Sequence, residues 1–192
     1  PRADQMQMVP DALTGAGIEL SNNNLSAHFT GFGKYGIRAN QPIYGGFWYF
    51  EVQRQVPPNI IGAGLVVQNG NLNPYSTVDI PWSISENSGG GTWIDLVSQV
   101  SFPSSADTYG FAVDYRRDRP TVYVIVAGAI VTEAELSNVT VPLYPMMYGN
   151  PVDGPGPDQT IRFVGPFTYD ASAILTAHGV NMAGFQARWG FN

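Results

Sequence analysis

The sharpest enzymatic reading of the chain centres on Glu51, in the run Phe47-Trp48-Tyr49-Phe50-Glu51-Val52. Sugar-cleaving enzymes built on two packed sheets place two carboxylates across a cleft. Their usual strand signature spaces three acids two apart, whereas this run continues Val52-Gln53-Arg54-Gln55, without the second and third acid. Glu51 therefore reads as a structural strand residue. His28 sits in an alternating strand and His178 at the end of a candidate helix, and neither lies near a Gly-x-Ser-x-Gly elbow, so a Ser/His/Asp site has no footing. With no Cys and two distant His, a Cys/His zinc site cannot be built. Gly89-Gly90-Gly91 has the glycines of a phosphate cradle, but Thr92-Trp93-Ile94 follows instead of a Lys-Ser/Thr pair opening a helix. Asn69 to Asn73 and Asn150 to Asp153 are oxygen-rich without the grouped carboxylates that calcium requires, and read as turns. The expectation is a protein with no catalytic residues, no metal and no cofactor.

Binding is a different matter. Arg116-Arg117-Asp118-Arg119 is the one basic cluster, and on a hairpin loop its planar guanidinium forks could engage an acidic partner. It also reads as a solvated turn that deters edge pairing. The long polar loop from Gln68 to Gly91 carries Tyr75 and Trp82, aromatics of the kind that anchor protein interfaces or form platforms for sugar rings; the competing reading has Trp82 folding back to cap the core. Phe185, Trp189 and Phe191 are too aromatic for a solvated tail, and either lie against the domain or dock on a partner. Asn24-Leu25-Ser26 and Asn138-Val139-Thr140 match glycosylation acceptors, which carry meaning only in a eukaryotic secreted chain.

Composition narrows the partner classes. The 192 residues carry a formal charge of -6 and a single lysine, Lys34, which argues against a phosphate-binding surface and hence against nucleic acid. The longest apolar run, Val122 to Val131, is about half the ~20 residues that a membrane-spanning helix requires. Residues 1 to 10 lack the apolar core of a signal peptide, and a start at Pro1 is expected of a processed product or a piece of something longer.

The elements that must position these residues are strands. Gly and Pro make up about a fifth of the chain against a background of roughly 12%, and they punctuate short runs rich in Val, Ile, Tyr, Phe and Trp. Ile18-Glu19-Leu20 and Leu25 to Phe29 flank an Asn22-Asn23-Asn24 turn; further runs cover Tyr35 to Arg38, Phe47 to Arg54, Ile60 to Gln68, Thr92 to Val97, Tyr109 to Tyr115, Thr121 to Ala127, Leu143 to Tyr148 and Thr160 to Val164. Many short strands at this spacing predict an all-β sandwich of jelly-roll type. Ala171 to Ala177 alone has helical grammar, with Asp170 or Ser172 as N-cap and Gly179 as left-handed stop. Residues 1 to 17 show no periodicity and read as an N-terminal arm, and truncating residues 1 to 15 should leave the sandwich folded; residues 166 to 192 read as a C-terminal extension.

In order and wording these strands resemble the SPRY (B30.2-like) family, a concanavalin A-like sandwich of two antiparallel sheets. Gly46 to Val52 is similar to its G-x-W-Y-F-E-V strand, Ile61 to Leu65 to its I-G-x-G strand, Tyr109 to Asp114 to the strand before its hairpin, Leu143 to Met147 to its L-Y-P strand and Ile161 to Phe163 to its closing strand. With the Leu20 to Leu25 opening, the likeness spans residues 18 to 165 and looks most like phage and prophage versions. The Asn-Gly hairpin turn of the family is missing after Val122-Tyr123-Val124, so that turn has shifted or lengthened. The resemblance implies protein or carbohydrate recognition by loops and no enzymatic activity. The resulting expectation is a non-enzymatic structural or recognition module of a phage virion, as a capsid decoration, fibre or tail-associated protein. It would dock on other virion proteins or on its own copies, or bind a protein or glycan receptor. A cytoplasmic peptide-binding adaptor and a lectin-like carbohydrate-binding domain are the alternatives. Far-ultraviolet circular dichroism should be dominated by β structure, with helix confined to one or two turns; a helix content near the globular average of roughly a third would contradict the fold.

Overall fold

The computed structural model describes residues 5–10, 17–30, 35–54, 60–70, 72, 80–86, 92–95, 100–103, 107–116, 119–136, 141–150 and 158–182. Two antiparallel sheets pack face to face. In chain order the strands are β1 (Met8–Pro10), β2 (Ile18–Ser21), β3 (Ser26–Phe29), β4 (Tyr35–Ala39), β5 (Phe47–Arg54), β6 (Ile60–Val67), β7 (Trp82–Glu86), β8 (Thr92–Asp95), β9 (Ser101–Pro103), β10 (Thr108–Asp114), β11 (Thr121–Val126), β12 (Ala129–Glu135), β13 (Leu143–Asn150) and β14 (Asp158–Arg162), followed by helix α1 (Ala171–Ala177). One sheet runs β1-β4-β13-β6-β7-β8-β9 and the other β12-β11-β10-β5-β14-β3-β2. The all-β, concanavalin A-like expectation holds. The five internal family-like stretches fall on β5, β6, β10, β13 and the end of β14, the strands at the middle of the two sheets.

Alternation explains the core. Trp48, Phe50 and Val52 of β5 and Phe111 and Val113 of β10 face the first sheet, whose Ile37, Leu65, Trp82, Ile84 and Met147 complete one buried cluster. Phe111 stands 5.2 Å from Phe50 and 5.6 Å, edge-on, from Trp82, an arrangement favoured by the ring quadrupole. Trp48 donates its indole N–H to the Gly45 carbonyl at 2.8 Å, which removes the cost of burying that polar edge. On the opposite face of the second sheet, Phe47, Tyr49, Ala112, Tyr123 and Ile125 form a second apolar layer. Strands β5, β10 and β11 therefore read as continuous apolar runs because both of their faces are covered.

Two expectations need correction. The stretch read as a free arm supplies β1, paired with β4 through Met8↔Ala39 and Val9↔Arg38, and both Met6 and Met8 are buried. Three residues ending in Pro are too short for alternation to show, but Pro10 is tolerated because β1 is an edge strand. Truncation there removes core. The loop from Gln68 to Gly91 contains β7, and Trp82 is 0% exposed at its start, so it belongs to the core and not to a recognition surface. The β11–β12 hairpin turns at Ala127-Gly128, with φ +50° and +80°, the left-handed pair that a two-residue turn needs and that the family's Asn-Gly usually supplies.

Trp48→Ala should destabilise by about 3–5 kcal/mol, and Met8→Ala by about 2–5 kcal/mol. Urea denaturation checks both. A Met8→Ala change within about 0.5 kcal/mol, the range of surface substitutions, would restore the free-arm reading.

Candidate functional site

The second apolar layer needs a cover, and the chain after β14 provides it. Helix α1 starts at Asp170, whose carboxylate accepts the Ala173 N–H at 3.0 Å, and ends where Gly179 turns left-handed at φ +88°. Ala171 and Leu175 are its buried residues; with Phe167, Tyr169 and Val180 they pack on Tyr49, Tyr123 and Ile125.

Polar clips fix this segment at both ends. Glu51 is 0% exposed, and its two carboxylate oxygens accept the Thr168 N–H at 2.8 Å, the Tyr169 N–H at 2.9 Å and the Tyr49 hydroxyl at 2.9 Å. Gly110 faces Glu51 across the ladder, and any side chain there would collide with the Tyr49 hydroxyl that reaches it. Burial, then the adjacent Glu51 carboxylate, pushes the Tyr49 phenol far above its ordinary pKa, so it remains a donor. Tyr169 adds a hydroxyl that donates to the Thr108 carbonyl at 2.8 Å and accepts the Ala127 N–H at 3.1 Å. At the other end, buried Asp114 holds Arg116 in a fork, with Nε and Nη2 each at 2.8 Å, while Arg116 Nη1 donates to the Asn181 carbonyl at 2.6 Å. The hydrogen bonds to Asp114 raise the Arg116 pKa further.

The residues singled out in the sequence thus part company. Glu51 is structural, as its strand context implied. Arg116 stays exposed at the surface, but its fork is taken by buried Asp114, which requires a counter-charge. Arg119 is exposed and makes one ion pair, with Glu135 at 3.2 Å. Trp82 is core, as described above. Tyr75, Arg117, Phe185, Trp189 and Phe191 lie outside the described residues. Among the described residues, no group of three His, Cys, Asp or Glu side chains is placed to hold a metal ion.

What remains open is the seam between the extension and the β11–β12 hairpin. One hollow of about 520 Å³ is lined by Gly128, Ala129, Ile130, Ala173, Ile174 and Ala177. A second, of about 330 Å³, is lined by Thr121, Tyr123, Glu133, Glu135, Gly179 and Val180. His178 lines both, so along this groove a small-residue apolar hollow and an acidic hollow border the same side chain. Its Nε2 lies 3.2 Å from Glu133 Oε2. Sequence reasoning missed this groove because β12 was not assigned; Glu133-x-Glu135 beside a strand was the signal available.

No family model matches the chain, and no curated protein matches it in sequence. Solved structures do match its fold. The TRIM65 PSpry domain superposes with a TM-score of 0.59 at 12% identity, over 81% of this chain and 88% of that one. The SPRY domain of human HERC1 gives 0.59 at 14% identity, over 80% and 97%. Stonustoxin gives 0.53 at 19% identity, over 76% of this chain and 26% of the toxin chain. The fold is that of SPRY domains.

Glu51→Ala should cost at least about 3 kcal/mol, since hydrogen bonds to a charged group contribute roughly 1.5–3 kcal/mol each and the Thr168 and Tyr169 amides and the Tyr49 hydroxyl lose their acceptor. It should also speed amide hydrogen exchange across Ala171 to Ala177, which locates the damage at the extension. Unchanged exchange there would show that the clip does not hold the helix.

Proposed function

We propose that the chain is a non-enzymatic protein-recognition module that takes a partner segment in the groove between α1 and the β11–β12 hairpin. The observation that carries this reading is the groove itself. Its two hollows, about 330 and 520 Å³, lie within the roughly 300–1,000 Å³ typical of binding pockets, on a scaffold whose fold is shared with SPRY domains. Fold alone does not assign a ligand, so the residues lining the groove decide: exposed Ala129, Ala173 and Ala177 leave room for a side chain to enter, and the clipped extension makes one wall stiff.

The finer setting is a virion component that docks on other virion proteins or on its own copies. Its support is the phage-like wording of the Leu20 to Leu25 opening, and electron microscopy of particles from the native source tests it. A cytoplasmic adaptor would use the same groove on a free peptide.

Random-peptide display on the full chain should yield binders whose affinity falls at least tenfold on Ala173→Arg, a change of about 1.4 kcal/mol that fills the apolar hollow from an exposed position. Binders that ignore Ala173→Arg would move the site elsewhere, and selection of glycans in place of peptides would favour the lectin reading.

A further inference from the structure

We infer that the apolar hollow of the groove is filled by the chain's own segment 183–192, with Trp189 seated in it, so that a partner segment must displace this tail; the inference rests on the groove being a docking site. The hollow suits a large flat ring. Gly128, Ala129, Ala173 and Ala177 are exposed and short, while Ile130 and Ile174 are half-buried against the second apolar layer and form an apolar floor. A ring laid on that floor removes apolar surface of both partners from water.

Connectivity names the occupant. The extension runs from Tyr169, whose hydroxyl accepts the Ala127 N–H, to Asn181, whose carbonyl accepts Arg116 Nη1, and Met182 still packs on the second apolar layer. The segment 183–192 therefore starts near Arg116 and has to double back to meet the hollow. Along β11 the way from Thr121, opposite Asp114, to Ile125, opposite Ile130, is about 13 Å at roughly 3.3 Å per residue. Phe185, four residues past Asn181, spans at most about 14 Å when fully straight, which leaves nothing for the reversal. Trp189, eight residues past Asn181, has about twice that span, and Gly184 lies where the turn is needed. The order of side chains agrees. On the way back from Arg116 the rungs of Glu135 and Glu133 come before that of Ile130, and Arg188, the sole charged residue of 183–192, comes directly before Trp189. A tether this short holds the ring at an effective concentration on the order of millimolar, so a modest contact is enough to keep the hollow filled.

The chain has no Cys, so a nitroxide attached to Asn192→Cys is a single label on the full chain. In isotope-labelled protein it should broaden the amides of Ala129, Ile130, Ala173 and Ala177 well beyond those of Ser26 and Thr160, which lie on distant strands of the same sheet. Trp189→Ala and Ala173→Arg, on opposite sides of the contact, should each recover more than half of the lost intensity at the remaining amides. Display-selected peptides should bind Trp189→Ala about threefold or more tightly than the parent chain, because the competing segment has lost its anchor. Broadening that neither substitution relieves would overturn the assignment. So would broadening in a mixture of isotope-labelled chain without nitroxide and nitroxide-bearing chain without isotope, which would place the tail on a second copy. In either case, peptides selected on the wild type and lost on Ala173→Arg would still stand for the docking groove, so the two readings fail separately.

Discussion

The architecture depends on a sheet that cannot be left with one face in water. Its central strands present Trp48, Phe50 and Phe111 to the sandwich interior, and Phe47, Tyr49, Tyr123 and Ile125 to the other side. Apolar surface on that second side has to be removed from water, and the segment from Phe167 to Val180 does so. The cover is short, so packing alone would hold it loosely; Glu51 and Arg116 convert it into a fixed layer. A carboxylate with no exposed surface is tolerated there because it accepts three hydrogen bonds, two from the segment it holds and one from Tyr49 on its own strand.

Much of this was legible in the sequence, and the misses have physical reasons. The long central strands showed themselves through β-branched and aromatic runs. Helix α1 fell on Ala171 to Ala177 with Asp170 as its cap and Gly179 as its stop, because capping and left-handed glycine are local chemistry. Strand β1 was hidden by its length and its Pro. Trp82 was misjudged because the polar residues around it made a loop of what is an inward-facing strand start. Arg116 looked free because its partner, Asp114, lies on the preceding strand and its other acceptor, the Asn181 carbonyl, comes 65 residues later. The groove combines residues from β11, β12 and α1, and no local pattern announces such a meeting.

The solved relatives in fold fit this division. Likeness to SPRY domains is one of fold, and identity of 12% and 14% leaves surface chemistry free to differ. On the outer face of the second sheet this chain carries the clipped extension, the short Ala127-Gly128 turn and the paired acids of β12.

The Glu51 clip also shapes how the chain reaches its native state. It joins residues 117 and 118 positions apart, a separation that must be closed against chain entropy before the contact returns anything. Contacts of such range slow folding. During synthesis, at roughly 5–20 residues per second, Tyr49, Tyr123 and Ile125 are made well before the segment that shields them. For that interval the growing chain displays an uncovered aromatic and aliphatic sheet face, and its safe maturation is a race between release of residues 167 to 180 and capture of that face by another nascent chain.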